Sequence, residues 1–195
     1  METVLESNKE YALEGERLKI FTYPSPILKK KAKNVEVFDE DLQTLIKNML
    51  YTMYLSPGIG LAAPQIGLSK RIFVIDTQYK RNKKLNAQGK EEIEYSNFNP
   101  MVFINPVLET SGDIINWEEG CLSVPGVYEE VKRKEFVKVH YQDIHGNPQV
   151  IEAKELLSIC IQHENDHLDG IIFIEKLSLI KRNLVTKKFL KKKKS

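Results

Sequence analysis

Cysteine is scarce in this sequence, which has two, Cys121 and Cys160, among 195 residues. Two thiols are too few for a disulfide framework, so the class of small disulfide-stapled secreted proteins is excluded. No apolar run approaches the ~18 residues of a transmembrane helix, and the N-terminus lacks the apolar stretch of a secretory signal. These absences predict a cytoplasmic protein whose two thiols are free to pack in a core or to bind metal.

The composition is otherwise that of an ordinary globular domain, with 42% hydrophobic and 29% charged residues. The sequence has no internal repeat and no linker that would separate domains, so we expect residues 1–195 to form a single domain. The net charge of +2 is unevenly distributed, because residues 181–195 hold eight of the 29 lysines and arginines and no acid. This basic tail is either a solvated segment or a contact for RNA or another polyanion.

Three segments have the periodicity or composition of helices. From Asp41 to Leu55 apolar residues recur at helical spacing, with Asp39 or Asp41 as the N-cap and Ser56-Pro57-Gly58 as the stop. Ala153 to Leu168 is apolar on most sides, which predicts a buried helix. A third, amphipathic helix is expected from Ser178 to about Leu190.

Short apolar or alternating runs between these segments predict strands. They cover residues 71–76, 101–105, 113–117, 135–141 and 149–152, and a turn at His145-Gly146-Asn147 joins the last two. Residues 77–100 are polar, charged and without periodicity, so we expect an exposed loop or excursion there. Short strands with separate helices predict an α+β fold of mainly antiparallel sheets packed around the central buried helix.

The strongest chemical signal lies on that buried helix, in the segment His163-Glu164-Asn165-Asp166-His167. Two histidines four residues apart lie on one helix face about one turn, or ~6 Å, apart, so both can reach a single cation at ~2.1 Å. The intervening Glu164 suits a general base in a metal-dependent hydrolase. A pair of satisfied core histidines is the alternative, which the spacing alone leaves open.

A catalytic metal site needs a third protein ligand, and several candidates can be compared. Position 173 holds Phe where the metzincin pattern needs histidine, and Glu175 follows His167 by only eight residues, in an expected strand. Cys160 lies seven residues before His167 on the same helix, an axial span of roughly 10 Å that one ion cannot bridge. Cys121 follows a glycine at the end of an expected strand, where it is either a thiolate ligand or an ordinary buried cysteine.

Three motifs together carry a resemblance to a known family. GIGLAAPQ at 58–65, EGCLS at 119–123 and QHENDH at 162–167 resemble the signature motifs of peptide deformylases, in the same order and at compatible separations. The likeness covers roughly residues 17 to 180, and the polar stretch at about 77–100 looks like an insertion in the common frame. Members of this family remove the formyl group from the N-terminal formyl-methionine of nascent chains and release formate.

The resemblance implies a metal centre. Cys121, His163 and His167 would hold one divalent ion, and Glu164 would act as the acid and base. The family implies Fe²⁺ as the native ion, and Cys-His₂ ligation also suits Zn²⁺, Ni²⁺ or Co²⁺ in purified protein. We therefore expect a single catalytic domain that carries one metal ion.

The resemblance also implies the groups that contact the substrate. The amide of Gln65 and the backbone N–H of Leu122 would face the oxyanion, and Gly60 would let the backbone approach the site closely. The substrate backbone would pair with the Gly58–Leu61 and Trp117–Gly120 segments. Apolar residues on the histidine face of the helix and beside it would form the pocket for the methionine side chain, namely Ile59, Trp117, Leu156, Ile159 and Cys160.

Two other functions use the same features. A metalloprotease would use the histidine pair on internal peptide bonds, and a binding module would use the basic tail to dock on RNA. In the deformylase family a C-terminal helix can dock near the ribosomal exit tunnel, so the deformylase and the RNA-docking hypotheses are compatible. We expect formyl-methionyl nascent peptides and the ribosome as partners, and neither a membrane nor DNA.

Overall fold

The computed structural model describes residues 14–86 and 88–192. Three α-helices lie in these residues: α1 (Glu40–Leu55), α2 (Glu155–Leu168) and α3 (Leu179–Lys192). Short 3₁₀ turns cover Pro26–Lys29, Ala63–Ile66 and Phe173–Lys176. The three predicted helices are therefore confirmed.

The strands form two antiparallel sheets. The larger has the order β1 (Gly60–Ala62), β2 (Ile72–Ile75), β5 (Met101–Gly120), β6 (Tyr128–Gln142) and β7 (Pro148–Ala153). A separate pair consists of β3 (Lys80–Leu85) and β4 (Glu91–Ser96). The predicted combination of helices with antiparallel sheets is confirmed.

Helix α1 begins at Glu40, one residue before the start that its apolar spacing predicts, and its N-cap is Asp39, one of the two predicted caps. The side chain of Asp39 accepts a hydrogen bond of 2.9 Å from the backbone N–H of Leu42, which satisfies a free donor of the first turn. The apolar face of α1 is buried in a cluster with Val74 of β2 and Ile104 of β5. The helix ends at Leu55 and so delivers the chain directly to Gly58 and β1.

Helix α2 packs across the larger sheet, against β1, β2 and β6. Its residues Cys160, Ile161 and Leu168 share a buried cluster with the stacked rings of Phe73 and Phe103. The helix starts two residues later than predicted, because residues up to 153 still pair with β6 as part of β7. Burial of its apolar side chains, at ~1.5–3 kcal/mol each, fixes the histidines of this helix relative to the sheet.

Of the two alternatives for 77–100, the structure shows an excursion with regular strands and not a loop. Strands β3 and β4 pair as an antiparallel hairpin, with cross-strand ion pairs Lys83–Glu91 at 2.8 Å and Lys84–Glu94 at 3.0 Å. Most side chains of both strands are exposed. A strand without a buried face needs no apolar alternation, so its sequence carries no period-two signal.

Strands β5 and β6 are longer than predicted. The two strands expected at 101–105 and 113–117 are one strand of 20 residues, and β6 has 15 residues. The register of this pair shifts between Ile104 and Val107 and again between Ser111 and Ile114. Each irregularity breaks the alternation of side chains between the two faces, which is why short windows of sequence suggest two separate strands.

Helix α3 takes up most of the predicted basic tail, whose last residues, 193–195, lie outside the described part of the chain. Val185 and Phe189 face a buried cluster, while Leu179, Ile180 and Leu184 are exposed. Within the part of the chain that the structure describes, none of the helices is long and apolar enough to cross a lipid bilayer.

Candidate active site

The two histidines of α2 lie side by side at the base of a cleft. Their ring centroids are 5.1 Å apart, and both side chains are buried. His163 Nδ1 lies 2.8 Å from Glu119 Oε2, an interaction that fixes the ring and leaves Nε2 for other partners. The helical spacing thus produces the paired imidazoles expected from the sequence.

Cys121 reaches the same place from the end of β5. Its Sγ lies 3.3 Å from His167 Nε2. The ligand atoms of Cys121, His163 and His167 all lie within 4.8 Å of one another, so they could hold a metal ion. Cys160, on the same helix as the histidines, instead points its Sγ toward the carbonyl of Ile59, at 3.7 Å.

Glu164 faces the cleft from α2 and is buried there. Burial raises its pKa to about 7, with Glu119 and Asp166 adding to the rise and His163 opposing it. Among the described residues, Glu164 Oε2 is a buried polar atom without a hydrogen-bond partner. An unpartnered carboxyl oxygen beside sulfur and imidazole donors fits a site that takes a polar ligand, and a pKa near neutrality suits proton transfer in both directions.

A buried ion-pair network stands behind His163. Arg133 of β6 donates from Nε at 2.6 Å and from Nη2 at 2.9 Å to the two oxygens of Glu119, and from Nη1 to Asp166. Burial alone would raise the pKa of Glu119, but the hydrogen bonds from Arg133 and His163 outweigh it and lower that pKa to about 2. Glu119 is therefore ionised, and its contact with Nδ1 orients the His163 ring.

Gln65 lies in the turn Ala63–Ile66, where its side chain is fixed at both ends. Oε1 accepts a hydrogen bond of 2.8 Å from the Ala62 N–H, and Nε2 donates to Ser123 Oγ at 3.2 Å and lies 3.5 Å from Cys121 Sγ. The amide hydrogens therefore point to the loop that carries Cys121.

Gly60 brings backbone directly against the acid. A Cβ atom at this position would overlap the carboxyl group of Glu164, so only glycine fits here without displacing that side chain. Gly58 is in similar contact with Leu122, whose Cδ1 would lie 2.7 Å from a Cβ at that position. The two glycines thus let the chain pass close to Glu164 and to the residue after Cys121.

A cleft of about 500 Å³ joins these groups. All the site residues predicted from the sequence line it, apart from His167, which is buried behind it. The lining residues from that prediction are Ile59, Gly60, Gln65, Trp117, Gly120, Cys121, Leu122, Leu156, Ile159, Cys160, His163 and Glu164.

Sequence reasoning missed the supporting groups of the site. Arg133 gives no signal, because its approach to Glu119 depends on the register of β5 against β6. Ser123 stands inside the EGCLS motif, so its nearness to Gln65 could have been inferred. Tyr79 lies in the stretch that we expected to be a loop or excursion, and its hydroxyl donates a hydrogen bond of 3.1 Å to the carbonyl of Gly58.

A thiol and two imidazoles that could hold a metal ion, beside a buried carboxyl group, are the arrangement expected of a mononuclear metal-dependent hydrolase. The sequence profile of the family named polypeptide deformylase matches residues 17–183. The chain belongs to this family. It is a hydrolase that removes the N-formyl group from nascent peptides, and the family uses a single metal ion.

Individual relatives agree with this assignment. A peptide deformylase from Zymomonas mobilis is 47% identical over 178 residues, which cover 91% of this chain and 95% of the relative. One from Agrobacterium fabrum is 44% identical over 169 residues, or 86% and 91% of the two chains. The crystal structure of a peptide deformylase from Legionella pneumophila superposes with a TM-score of 0.77 at 42% identity, covering 92% of this chain and 96% of that one.

Proposed function

We propose that this chain performs deformylation at one metal ion held by Cys121, His163 and His167, with Glu164 as the acid and base. The observation that carries the proposal is the convergence of three donor atoms within 4.8 Å of one another, next to a buried carboxyl group. The reaction adds water across the formyl amide: a C–O bond forms, the C–N bond breaks, and formate and a free N-terminal amine result.

A divalent ion at these donors supplies positive charge that acidifies water and polarises the formyl carbonyl group. Sulfur and imidazole donors suit Fe²⁺, Zn²⁺, Ni²⁺ and Co²⁺, and we propose Fe²⁺ as the native ion. Anaerobic purification followed by elemental analysis and a formate-release assay tests this choice. A protein that is fully active with zinc alone and gains nothing from iron would contradict it.

Glu164 carries the proton through the reaction. Its carboxyl group is buried beside the proposed metal ligands and has an oxygen without a hydrogen-bond partner among the described residues, so we propose that it accepts the proton of the attacking water and then gives it to the departing amine nitrogen. Gly60 leaves room for this carboxyl group at the cleft. No other side chain is needed for the proton balance.

Two donors beside Cys121 are candidates for stabilising the oxyanion. The amide of Gln65 is held beside Cys121 by Ser123 and by the backbone of Ala62, and the N–H of Leu122 follows directly after the sulfur ligand. Each such donor contributes ~3 kcal/mol to stabilising the transition state. We propose these two groups as the oxyanion contacts.

The apolar part of the cleft suits a methionine side chain. Ile59, Trp117, Leu156, Ile159 and Cys160 line it, and an unbranched thioether fits such an irregular apolar surface. Gly60 and Gly120 present backbone on the two sides of the cleft, where we propose that the substrate backbone pairs as an added strand.

Two variants test the assignment of the site. Glu164→Ala is expected to keep the metal and lose most turnover, while Cys121→Ala is expected to lose the metal. Turnover is measured as formate released from a formyl-methionyl peptide, with an acetyl-methionyl peptide as the control for general amidase activity. Full activity in either variant, or equal turnover of the two peptides, would overturn the proposal.

We also propose that the chain works as one catalytic unit in the cytoplasm, that α2 is the centre around which the sheets pack, and that α3 docks on the ribosome. Helix α3 supports the last point, because it exposes Leu179, Ile180 and Leu184 alongside the basic Lys187 and Lys188. Basic side chains with an apolar stripe suit a surface of RNA and protein.

Deleting the residues after Leu190 tests the docking. Formate release from a short peptide should persist, while co-sedimentation with ribosomes should weaken and lose part of its salt dependence. Unchanged ribosome binding would remove residues 191–195 from the proposal without touching the chemistry. As a control that keeps the chain at full length, the substitutions Lys187→Gln and Lys188→Gln remove two basic side chains of α3 and are compared with the deletion.

A further inference from the structure

The base of the β3–β4 hairpin is closed by one buried carboxylate. Asp76 Oδ1 accepts hydrogen bonds from the backbone N–H groups of Gln78 at 2.9 Å and Tyr79 at 3.0 Å, where the excursion leaves β2. Its Oδ2 accepts from the N–H of Asn99 at 2.8 Å, where the excursion returns, and from the Tyr54 hydroxyl at 2.7 Å. Both ends of the excursion are thus fixed to a residue of zero solvent exposure.

An aromatic cluster fixes Tyr79, the residue just before β3, against α1. The ring of Tyr79 packs edge to face on the ring of Tyr54, with centroids 4.8 Å apart, and stacks with the ring of Tyr95, with centroids 6.4 Å apart. Phe98 also packs on Tyr54, at a centroid distance of 5.0 Å. Such pairs prefer these geometries. The Tyr79 ring is therefore held in place from two sides.

From this position Tyr79 contacts the backbone of a residue that lines the cleft. Its hydroxyl donates a hydrogen bond of 3.1 Å to the carbonyl of Gly58, and the next carbonyl, that of Ile59, accepts one of 2.9 Å from the Asp76 N–H. Two successive carbonyls of the segment Gly58–Gly60, here called the cleft edge, are therefore held by the hairpin base. All three residues of the cleft edge line the cleft.

The ends of the cleft edge are anchored by backbone contacts, because the Gly58 N–H donates a hydrogen bond of 3.1 Å to the Met53 carbonyl and Gly60 pairs with Ile75 of β2. Two of its three residues are glycines, which have the widest backbone freedom, and Ile59 is one of the exposed apolar residues. Gly58 nevertheless packs tightly on Leu122, and Gly60 on Glu164. A rotation of the Gly58 peptide would consequently change the contacts with both of these residues.

We propose that Tyr79 is a positioning residue of the enzyme, and that its hydroxyl holds the Gly58 carbonyl so that the cleft edge is ready to receive the substrate backbone. The polar insertion thereby supports the substrate site through the residue that precedes its first strand, β3. The inference rests on the proposed function for its kinetic consequence, while the contact itself can be measured without substrate.

The kinetic test compares two variants that each remove one hydroxyl from the same aromatic cluster. Tyr79→Phe removes the bond to Gly58, and Tyr95→Phe removes a bond of 3.2 Å to the carbonyl of Tyr54, away from the cleft. With protein of equal metal content, Tyr79→Phe should raise KM for a formyl-methionyl tripeptide roughly threefold to tenfold. Its kcat should change less than KM, because loss of the hydrogen bond weakens binding of the substrate in the ground state and in the transition state to the same extent.

Tyr95→Phe should leave KM at the wild-type value, although both variants should lower Tm by roughly 2–4 °C. A merely structural role for Tyr79 would give two variants with lowered Tm and unchanged KM, and this result would overturn the proposal. Equal rises of KM in both variants would also overturn it, because the effect would then belong to the aromatic cluster as a whole.

A second measurement reads the contact directly. Labelling with carbonyl-¹³C glycine and ¹⁵N isoleucine selects only the Gly58–Ile59 and Gly170–Ile171 peptide bonds, the two Gly-Ile pairs of the sequence. In zinc-loaded protein, Tyr79→Phe should move the Gly58 carbonyl resonance upfield and leave the Gly170 one in place, whereas Tyr95→Phe should move neither. An unchanged Gly58 resonance in Tyr79→Phe would reject the contact, whether or not the enzyme is active. Absence of formate release by the wild-type protein would count against the proposed function and not against the contact.

Discussion

Replacing Gly60 with alanine tests how closely the backbone must approach the acid. A Cβ at this position would lie 2.8 Å from Cδ and 2.9 Å from Cγ of Glu164, and still closer to its Oε1. Gly60 does not have the left-handed backbone conformation that would strain alanine by itself. The substitution therefore acts through one steric contact, with the side chain proposed to move the proton.

The expected magnitude follows from the surroundings of Glu164. This side chain lies on α2 with 4% exposure, so it cannot swing freely into solvent. A displacement of about 1 Å in a reacting group costs on the order of a hundredfold in rate. Overpacking of a tight core costs about 1–3 kcal/mol of stability, which corresponds to a fall in Tm of roughly 2–12 °C for a chain of this size.

The assay measures kcat for formate release by Gly60→Ala at equal metal content, together with Tm. The control is a double-mutant cycle with Glu164→Ala, in which the added methyl group has no carboxyl to displace. We expect the hundredfold loss in the wild-type background and almost no further loss in the Glu164→Ala background. Near wild-type kcat in Gly60→Ala, or an equal factor in both backgrounds, would refute the reasoning.

Three further predictions concern stability. Arg133→Leu should lower the free energy of unfolding by about 3–5 kcal/mol in urea titrations, because Glu119 and Asp166 lose the cation between them. Asp143→Asn should destabilise the protein at pH 7, and its deficit relative to wild type should shrink as the pH falls through the acidic range. Removal of the metal by a chelator should lower Tm, since an ion present at a thousandfold excess over its Kd stabilises the folded state by about 4 kcal/mol.

The sign for Asp143 follows from its hydrogen bonds. Burial alone would raise the pKa of Asp143, but the backbone N–H groups of Asn147 and His145 outweigh it and lower that pKa. A lowered folded-state pKa contributes stability above the unfolded value of ~3.9 that is lost as the carboxylate is protonated below it. A deficit that grows on acidification would contradict this account.

Matched controls separate the effects of Arg133→Leu and of metal removal from a general loss of stability. Lys176→Met removes the other cation from Asp166, at 3.0 Å, but its side chain is 33% exposed, so it should cost under ~1 kcal/mol. An equal cost for Lys176→Met and Arg133→Leu would argue against the role of burial. For the chelator, Cys121→Ala should show no further fall in Tm, and a fall equal to that of wild type would place the ion elsewhere.

Local signals made the helices and part of the site predictable. Helix α1 carries seven apolar residues at helical spacing and a capping Asp39, so both of its ends follow from neighbouring residues. The pairing of His163 and His167 also follows from spacing on one helix. The proposed third ligand, Cys121, lies 42 residues before His163, and only the resemblance of the EGCLS motif pointed to it.

Long-range pairing made the rest unpredictable. Arg133 meets Glu119 because of the register that two irregularities impose on β5 and β6, and no local pattern encodes that register. The β3–β4 hairpin has no apolar face to read, so its sequence resembles a loop. The contact of Tyr79 with Gly58 joins residues whose side-chain types carry no separate signal.

The shared carboxylate at the root of the hairpin also makes this protein a scaffold for grafting. Because Asp76 fixes the departing and the returning chain together, the tip between Leu85 and Glu91 is mechanically separated from the enzyme beneath it. An epitope or a fluorescent tag spliced into that tip should leave catalysis intact, provided that Tyr79 and Asn99 keep their places.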